Sequence, residues 1–519
     1  MITEDQAAVI DFLASPSTHG GAAVERIDTH SAIVFLAGPR AWKLKRAVRF
    51  DYLDFSTADR RKAMSEAEVE LNRRTAPTIY RGVVPVTRAS DSALALNGHG
   101  TPVDWLVEMN RFDERLLLDR LAEGGSLDVA LMRSLASAVA RFHAAAQHRA
   151  DHGGNAGMQW VIEGNAAGFA EFGANLFEPS VSSRVTAAAR AELGRHGGVL
   201  DARQGAGFVR QCHGDLHLRN IVLLDDQPTL FDAVEFNDEI ACIDVMYDLS
   251  FLLMDLWRRR LPMHANALLN DYLAESNDWD GVSLLPLFLS CRAAVRAKTS
   301  ATAASVQGES TGAMELQQSA REYLALADHL LHDAVPCVVA IGGFSGSGKS
   351  TLALGLAPRV GRVPGAVVLR SDEIRKRLCG VPVLERLSAE GYSATVSQEV
   401  YATLARHAGT VVRAGHSVII DAVFADSGER AAIEGVAADA SVPFAGLWLD
   451  APTPILTERI RRREGDASDA TADVVRMQLT KGSGAIGWRR IDASASVATI
   501  LENGLRFLAN EQVPIRPSE

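Results

Sequence analysis

The sequence predicts two domains of different fold class: an α+β domain over residues 1–333, followed by an α/β domain over residues 334–519, with three layers and a parallel sheet. Three observations lead to this prediction. The chain has 519 residues, 47% of them hydrophobic, which is more than one ordinary core requires. In the first part, strand-like segments precede helical ones. After Pro336, short apolar strands alternate with helical stretches, as in a parallel sheet with crossover helices.

The N-terminal domain begins with the strand-like segments VERIDTH, SAIVFLAG and AWKLKRAV, all within residues 24–48. A charged helical pattern follows over about residues 57–74, and GVVPVTRA and PVDWLVEMNRF read as further strands. Helical patterns dominate after residue 243. Residues 298–315 are rich in Thr, Ala, Ser and Gly, and this composition predicts a surface loop.

Composition and charge restrict the function. The formal charge of -11 and the pI near 5.7 oppose broad attraction to nucleic acid or to an anionic membrane, so small-molecule substrates are favoured. The N-terminus MITEDQAAVIDFL lacks a basic n-region, and no apolar run is long enough for a membrane span. Five scattered cysteines without a CxxC pair fit a reducing compartment. We therefore expect a cytoplasmic protein, and the sequence leaves its oligomeric state open.

The motif GFSGSGKST satisfies the pattern Gly-x4-Gly-Lys-Ser/Thr and lies between an apolar strand and a helical stretch. Its glycines allow backbone N–H groups to curl around phosphate oxygens, and the helix that follows presents its N-terminus to the same anion. Lys349 is expected to reach the β and γ phosphates, and the Ser350 hydroxyl to bind magnesium. The predicted nucleotide-binding residues are Gly343, Ser345, Gly346, Ser347, Gly348, Lys349, Ser350 and Thr351.

Two aspartates and an arginine run follow this loop. Asp372 ends the strand AVVLRSD and Asp421 ends SVIID, so both are expected at the carboxyl edge of the sheet, facing the phosphates. An acid there orients a hydroxyl or holds magnesium through water, although a helix N-cap or a solvated loop acid would give the same pattern. One helical stretch contains Arg459, Arg462 and Arg463. These arginines either close over the transferring phosphoryl group or form a charged face exposed to solvent.

With GFSGSGKS, SDEIRKRL and the arginine-rich stretch in place, residues 336–519 resemble the small-molecule kinase branch of P-loop proteins, which includes gluconate kinase, zeta toxin, chloramphenicol phosphotransferase and the kinase part of polynucleotide kinase. The resemblance implies that Asp372 is the base on the acceptor hydroxyl and that Arg375 grips the substrate. We also predict that Asp421 binds the substrate. Arg459 and Arg463 match lid arginines, with the register left open.

A second constellation is HGDLHLRN, residues 213–220, followed by Asp232 in the strand LFDAVEF. Asp215 precedes Asn220 by five residues on a short loop. This spacing supplies one acceptor for a hydroxyl proton and one ligand for magnesium. Asp232 returns beside them after a hairpin as the main metal ligand, and such oxygen ligands suit Mg²⁺.

Upstream, AWKLK places Lys43 on a strand, where a lysine can hold the α and β phosphates of a nucleotide. Lys45 is two residues further and faces the same side. The following helix offers Glu66, Glu68 and Glu70 as partners for Lys43, and the sequence does not decide among them.

The matching segments are AWKLK, WLVEMNRF, HGDLHLRN, LFDAVEF and IDVMYDLSFLL. Through them, residues 25–300 resemble the aminoglycoside phosphotransferase family, whose fold is related to that of protein kinases. The resemblance implies that Asp215 is the catalytic base, that Asn220 and Asp232 bind magnesium, and that Asp244 and Asp248 brace the loop. No Gly-x-Gly-x-x-Gly loop precedes Lys43, which disfavours a protein kinase. Family members phosphorylate many hydroxylated metabolites, so the family name does not identify the acceptor.

Together the two segments resemble a bacterial fusion of these two families. The leading hypothesis is an ATP-dependent phosphotransferase with two nucleotide sites, using ATP and Mg²⁺ to phosphorylate a hydroxyl of a sugar, an aminoglycoside-like compound or a nucleotide sugar. In one alternative, one domain is a catalytically silent ATP-binding sensor that regulates the other. A polynucleotide 5′-kinase is a further alternative, which the acidic balance of the chain disfavours.

Overall fold

The computed structural model describes residues 3–50, 52–307, 310–462 and 467–516. The chain divides into two compact units. The first, called here the N unit, comprises residues 1–255 and 287–328, and the second, the C unit, comprises residues 256–286 and 329–519. The helical segment 256–286 therefore groups with the P-loop part of the chain, which no composition shift in the sequence indicates.

The strands of both units, in chain order, are β1 (Val24–Asp28), β2 (Ala32–Ala37), β3 (Arg40–Lys45), β4 (Arg49–Phe50), β5 (Leu53–Asp54), β6 (Tyr80–Arg88), β7 (Leu94–Leu96), β8 (Thr101–Asn110), β9 (Val209–Gln211), β10 (Ile221–Leu224), β11 (Gln227–Leu230), β12 (Cys242–Asp244), β13 (Val338–Gly343), β14 (Val367–Arg370), β15 (Val418–Asp421), β16 (Phe444–Asp450) and β17 (Arg489–Asp492).

The α-helices are α1 (Ala7–Ala14), α2 (Ala58–Asn72), α3 (Leu118–Glu123), α4 (Leu131–Ala145), α5 (Gly154–Leu176), α6 (Pro179–Gly205), α7 (Asp238–Ala241), α8 (Val245–Arg258), α9 (Pro262–Ser276), α10 (Leu285–Gln307), α11 (Thr311–Leu330), α12 (Lys349–Leu356), α13 (Ser371–Leu378), α14 (Ala394–Arg413), α15 (Ser427–Ala440), α16 (Thr453–Arg461), α17 (Ala472–Lys481) and α18 (Val497–Asn510).

The N unit is built on an antiparallel six-stranded sheet with the order β1-β2-β3-β8-β6-β7. Helix α2 packs on β6 and β8. Thr57 caps this helix by accepting a hydrogen bond from the Arg60 N–H. The segment 212–220 lies between two short antiparallel pairings, β9 with β12 and β10 with β11. The sheet and α2 thus carry Lys43 and its partner, while the short pairings hold the HGDLHLRN segment.

The prediction of a surface loop over residues 298–315 is wrong, because α10 continues to Gln307 and α11 begins at Thr311. The small residues that suggested a loop instead form the buried face of a helix. Ala297, Ala301 and Ala304 are buried at helical spacing, and the Thr302 hydroxyl donates to the Lys298 carbonyl 3.1 Å away.

The C unit contains a parallel five-stranded sheet with the order β14-β15-β13-β16-β17, as predicted for an α/β domain. Helices α12 and α18 pack together and share a core with β13 and β16 through Leu352, Leu356, Ile500, Leu508 and their strand neighbours. Because β13, β14 and β15 are parallel and adjacent, their carboxyl ends meet at one edge. That edge carries the P-loop, Asp372 and Asp421.

Candidate active sites

Lys43 on β3 lies at the centre of an ion-pair cluster in the N unit. Its Nζ is 2.8 Å from Oε1 of Glu68 and 2.6 Å from Oδ1 of Asp232. Burial opposes its charge, but the two carboxylates hold the pKa of Lys43 well above its usual value. Of the three glutamates left open by the sequence, Glu68 is the partner of Lys43.

Lys45 forms further ion pairs next to those of Lys43. Its Nζ lies 2.6 Å from Oε2 of Glu68 and also contacts Glu235, and all three side chains are buried. Glu68 therefore bridges both lysines. Burial raises the pKa of Glu235 even though Lys45 acts against this. Sequence reasoning missed Glu235, although its place three residues after Asp232 in LFDAVEF was the available signal.

Asp215 and Asn220 are brought together as predicted. The Asn220 amide Nδ2 donates to the backbone oxygen and to Oδ2 of Asp215, both at 3.0 Å. His217 Nε2 lies 3.3 Å from the same Oδ2. Burial alone would raise the pKa of Asp215, but the charge and hydrogen bond of His217 lower it below the usual range. The carboxylate is therefore ionised and able to accept a proton or a hydrogen bond.

Asp232 has a left-handed backbone with φ of +63°, and its carboxylate pairs with Lys43. Its own N–H donates to the Tyr80 hydroxyl at 3.1 Å, and the next N–H, of Ala233, donates to the Asn72 side chain at 2.8 Å. Asp232 is thus held by α2 and β6, next to the lysine cluster.

The HGDLHLRN loop is braced from α8. Asp248 accepts hydrogen bonds from the backbone N–H groups of His213 at 3.1 Å and Gly214 at 2.9 Å, and it contacts His143 at 3.0 Å. The Asp248 carboxylate that makes these contacts also belongs, with His143 and Cys212, to a compact group of potential metal ligands. A bracing role therefore accounts for the group.

Asp244, which was also expected to brace the loop, is instead paired with helix α6. Asp244 pairs with the buried Arg203 through two contacts of 2.7 and 2.9 Å and accepts the Met246 N–H at 2.8 Å. A second contact to the loop comes instead from Asp255, whose carboxylate accepts the Leu218 N–H at 3.1 Å. Asp255 lies seven residues beyond Asp248 on the same helix, and no motif marked it.

In the C unit, the P-loop joins β13 to α12. Gly343, Gly346 and Gly348 all have positive φ angles. A Cβ on Gly346 would lie 2.5 Å from the Leu456 carbonyl oxygen, so α16 approaches too closely for any side chain there. Ser345 is fixed by Gln478 of α17, which accepts from its N–H at 2.9 Å and donates to its hydroxyl at 3.1 Å. Sequence reasoning also missed Gln478.

Ser350, Asp421 and Arg370 form the second part of this site. The Ser350 hydroxyl donates to Asp421 Oδ2 at 2.5 Å. Arg370 donates to the Ser350 oxygen at 3.1 Å and lies 3.4 Å from Asp421. Asp421 therefore stands beside the hydroxyl predicted to bind magnesium. Lys349 Nζ lies at the loop, where it donates to the Phe344 carbonyl at 3.3 Å, and Thr351 follows in the first turn of α12.

Asp372 is the second residue of α13. Burial, followed by the charge of Asp421, raises its pKa, while Ser468, Lys349 and Arg370 act in the opposite direction. These influences place the carboxyl group within electrostatic reach of both the P-loop lysine and Asp421. A carboxylate with a raised pKa beside a phosphate-binding loop is suited to accept a proton.

Arg375 lies one turn further along α13 and is 8% exposed. Its guanidinium donates to the Gly391 carbonyl at 2.9 Å and to the Ser397 hydroxyl at 3.2 Å, and it stacks over Tyr392 at 5.0 Å. Its Nε is buried and has no hydrogen-bond partner in the described part of the chain. Arg375 is thus held in place with its Nε–H donor unused.

The arginine-rich stretch is only partly described. Arg459 donates to the Ser347 carbonyl at 3.4 Å, which places it over the P-loop. Arg462 pairs with Glu458 and is 80% exposed, as expected of a solvated face. Arg463 lies outside the described residues. Beyond it, Asp469 contacts Lys376 Nζ at 2.9 Å, the Leu387 N–H at 2.9 Å and the Tyr392 hydroxyl at 2.8 Å.

Both sites suit a nucleotide and a hard metal ion. In the P-loop, the buried Ser347 hydroxyl has no hydrogen-bond partner among the described residues, and α12 starts without a side-chain cap. Unpaired donors of this kind suit phosphate oxygens. The Ser350 and Asp421 oxygens of the C unit, and the Asp232 and Asn220 oxygens of the N unit, are ligands that Mg²⁺ accepts.

Two family models match the chain: the "Phosphotransferase enzyme family" model over residues 47–285 and an "AAA domain" model over residues 338–482. An uncharacterized Mycobacterium tuberculosis protein, Rv2004c, is 32% identical over 456 residues, covering 86% of this chain and 88% of its own length. The uncharacterized Mycobacterium bovis protein Mb2027c gives the same values.

Among solved structures, a sugar kinase from Janibacter is 24% identical and covers 34% of this chain and 95% of its own, with a TM-score of 0.26. A choline/ethanolamine kinase family protein from Mesorhizobium loti is 10% identical and covers 63% of this chain and 94% of its own, with a TM-score of 0.37. Within the described residues, no helix combines the length and apolar character needed to cross a bilayer.

Proposed function

The chain belongs to the family of its mycobacterial relatives and joins a phosphotransferase-family domain to a P-loop kinase domain, and from this premise we propose that it has two ATP- and Mg²⁺-dependent sites that phosphorylate hydroxyl groups of small molecules. Kinase-type domains of both classes support ATP-dependent phosphotransfer in general. We further propose that each domain contains a catalytic site, that the acceptors are hydroxyl groups, and that the chain divides into domains 1–333 and 334–519.

In the N unit, Asp215 orients the acceptor hydroxyl and takes its proton. The hydroxyl oxygen forms a bond to the γ-phosphorus, and the bond from that phosphorus to the bridging oxygen of ADP breaks. Lys43, held by Glu68, neutralises charge on the α and β phosphates. Asn220 and Asp232 would hold Mg²⁺, which supplies charge neutralisation for the triphosphate.

In the C unit, the P-loop backbone and Lys349 bind the phosphates, and Arg459 approaches from α16. Ser350 would hold Mg²⁺. We assign Asp421 to the same metal, directly or through water, in place of the substrate role predicted from the sequence, since it accepts the Ser350 hydroxyl hydrogen bond. Asp372 is the base for the acceptor hydroxyl, Arg375 binds the acceptor, and Arg463 remains a predicted lid residue.

The observation that best supports the proposal is that each unit places a base candidate beside its own set of oxygen ligands. In the N unit, Asp215 is hydrogen-bonded to Asn220 at 3.0 Å. In the C unit, Ser350 and Asp421 are hydrogen-bonded at 2.5 Å, and the charge of Asp421 acts on Asp372. A regulatory nucleotide sensor would need the phosphate-binding groups of a unit, but it would not need the base.

The test uses Asp215→Ala, Lys349→Ala and the double variant, each assayed for ADP release over a panel of hydroxylated metabolites. Each single variant should lose one set of acceptors and retain the other, and the double variant should lose both. Asp226→Asn, a change on the exposed β10–β11 turn, is the control and should alter neither. If Asp215→Ala leaves every phosphorylation intact, the N unit is not a catalytic site of the proposed kind.

A further inference from the structure

One face of helix α10 lies against the catalytic loop of the N unit. Arg292 on this helix donates to the Gly214 carbonyl at 3.3 Å, directly before Asp215 in the chain, and it stacks over Tyr247 at 3.8 Å. Residues four apart on a helix share a face. Arg296 therefore follows Arg292 along the side of α10 that faces the loop.

Arg296 carries a charge near Asp215 that no carboxylate neutralises at close range. Its guanidinium lies over the Tyr323 ring at 5.7 Å. The charges of Asp215 and Asp255 act on it, yet within the described ranges neither these nor any other acid lies within 4.0 Å. A guanidinium has five N–H donors, so this one retains donors for a ligand.

The side chain of Asp215 is partly exposed. Its exposed fraction is 39%, whereas that of the adjacent His217 side chain is 10%. The carboxylate that would receive the acceptor hydroxyl is therefore partly open to solvent, with His217 in contact with it and the charge of Arg296 acting on it. The acidic side chains Glu68, Asp232 and Glu235 are engaged by Lys43 and Lys45.

We propose that Arg296 determines acceptor specificity in the N unit by binding an anionic group, a carboxylate or a phosphate, on the molecule whose hydroxyl contacts Asp215. This inference rests on the proposed function of the N unit. Guanidinium binds both anions with paired hydrogen bonds, and the weak hydration of the group favours such a role in a partly enclosed site. A polycationic acceptor such as an aminoglycoside would be repelled by the same charge.

A purely structural role is the competing explanation, in which Arg296 balances the charges of Asp215 and Asp255. The two explanations differ in what the loss of the charge does. A balancing residue affects stability and kcat for every acceptor, whereas a binding residue affects KM for anionic acceptors and leaves that for neutral ones unchanged.

The experiment uses the full chain carrying Lys349→Ala, so that only the N unit turns over. ADP release is measured with three matched sets of probes: glucose and glycerol, their acids and phosphates (gluconate, glucose 6-phosphate, glycerate and glycerol 3-phosphate), and the aminoglycosides kanamycin and neomycin. Each set is repeated with Arg296→Gln, with Arg296→Lys, and with Arg190→Gln as a control. Arg190 makes a surface pair with Glu163 and is 54% exposed, so its loss removes the same charge elsewhere.

We expect turnover with the acids or the phosphates, and their comparison distinguishes carboxylate from phosphate. Arg296→Gln should raise KM for the active anion roughly tenfold or more, with kcat changed much less, and Arg296→Lys should restore part of the loss. Arg190→Gln should match the parent. Preference for neutral or cationic acceptors, or an unchanged KM in Arg296→Gln, would overturn the assignment. Absence of any turnover that depends on Asp215 would instead reject the proposed function of the N unit.

Discussion

Lys43 Nζ lies 2.8 Å from Oε1 of Glu68, and this contact joins the strand of the predicted nucleotide lysine to helix α2. The same glutamate also binds Lys45 at 2.6 Å, and its side chain is fully buried. A buried carboxylate shared by two lysines fixes both ammonium groups. The position of Lys43, and through it that of Asp232, therefore depends on Glu68.

We expect Glu68→Gln to destabilise the N unit by about 1.5–3 kcal/mol, because the two lysines lose the carboxylate that they share while each keeps one other acid. Chemical denaturation of the full chain, followed by a probe in the N unit, measures this change. Glu66→Gln is the matched control. Glu66 is 57% exposed and 3.9 Å from Lys62, so its loss should cost less than about 0.5 kcal/mol. Equal effects of the two substitutions would contradict the bridging role.

The contribution of Glu68 should also depend on pH in a defined direction. Burial would raise its pKa, but the charges of Lys43 and Lys45 lower it from 4.5 to about 2. The stabilisation is therefore fully present above pH 4.5 and is lost as the pH falls toward 2. The difference in unfolding free energy between the parent protein and Glu68→Gln should shrink across this interval. A difference that stays constant from pH 6 to pH 3 would argue against the lowered pKa.

Gly346→Ala should abolish nucleotide binding in the C unit and destabilise that unit by at least about 1 kcal/mol. The new Cβ would meet the Leu456 carbonyl at 2.5 Å, at a φ of +83°. Thermal unfolding and binding of a fluorescent ATP analogue report the two effects. Gly435→Ala on α15 is the control, since nothing lies within 4 Å of its added Cβ. That change should stabilise the helix by up to about 1 kcal/mol.

Asp469→Asn should release the segment around Leu387 and Tyr392. The carboxylate holds the Leu387 N–H, the Tyr392 hydroxyl and the buried Lys376 together. We expect amide hydrogen exchange in residues 381–392 to accelerate roughly tenfold or more, while nucleotide binding at the P-loop changes less. Asp473→Asn is the control because its side chain is 76% exposed. Unchanged exchange at Leu387 in Asp469→Asn would show that the contact does not order this segment.

The parts of both sites that local spacing determines could be predicted from the sequence. The P-loop spacing and the five-residue interval from Asp215 to Asn220 are local, and the structure brings these residues together. The alternation of strands and helices after Pro336 predicted the parallel sheet for the same reason. When the residues of a motif are only a few positions apart, the local backbone conformation sets the distances between them.

Contacts between distant segments could not be predicted in this way. Glu235 and Gln478 reach their partners over separations of 190 and 133 residues, and no local spacing specifies either contact. The choice of Glu68 over Glu66 and Glu70 depends on which face of α2 meets the sheet, and all three positions look alike in a charged helix. The loop predicted over residues 298–315 was wrong for a related reason: its small residues suggested a loop, but alanine is a strong helix former, and Ala301 and Ala304 lie on the buried face of the helix.

The most direct test of the two-site account is the number of nucleotides that one chain binds. Equilibrium dialysis with a non-hydrolysable ATP analogue and Mg²⁺ should give two per chain for the parent protein. Lys43→Ala and Lys349→Ala should each give one, and the double variant none. A single nucleotide on the parent chain, or loss of all binding in either single variant, would contradict the account.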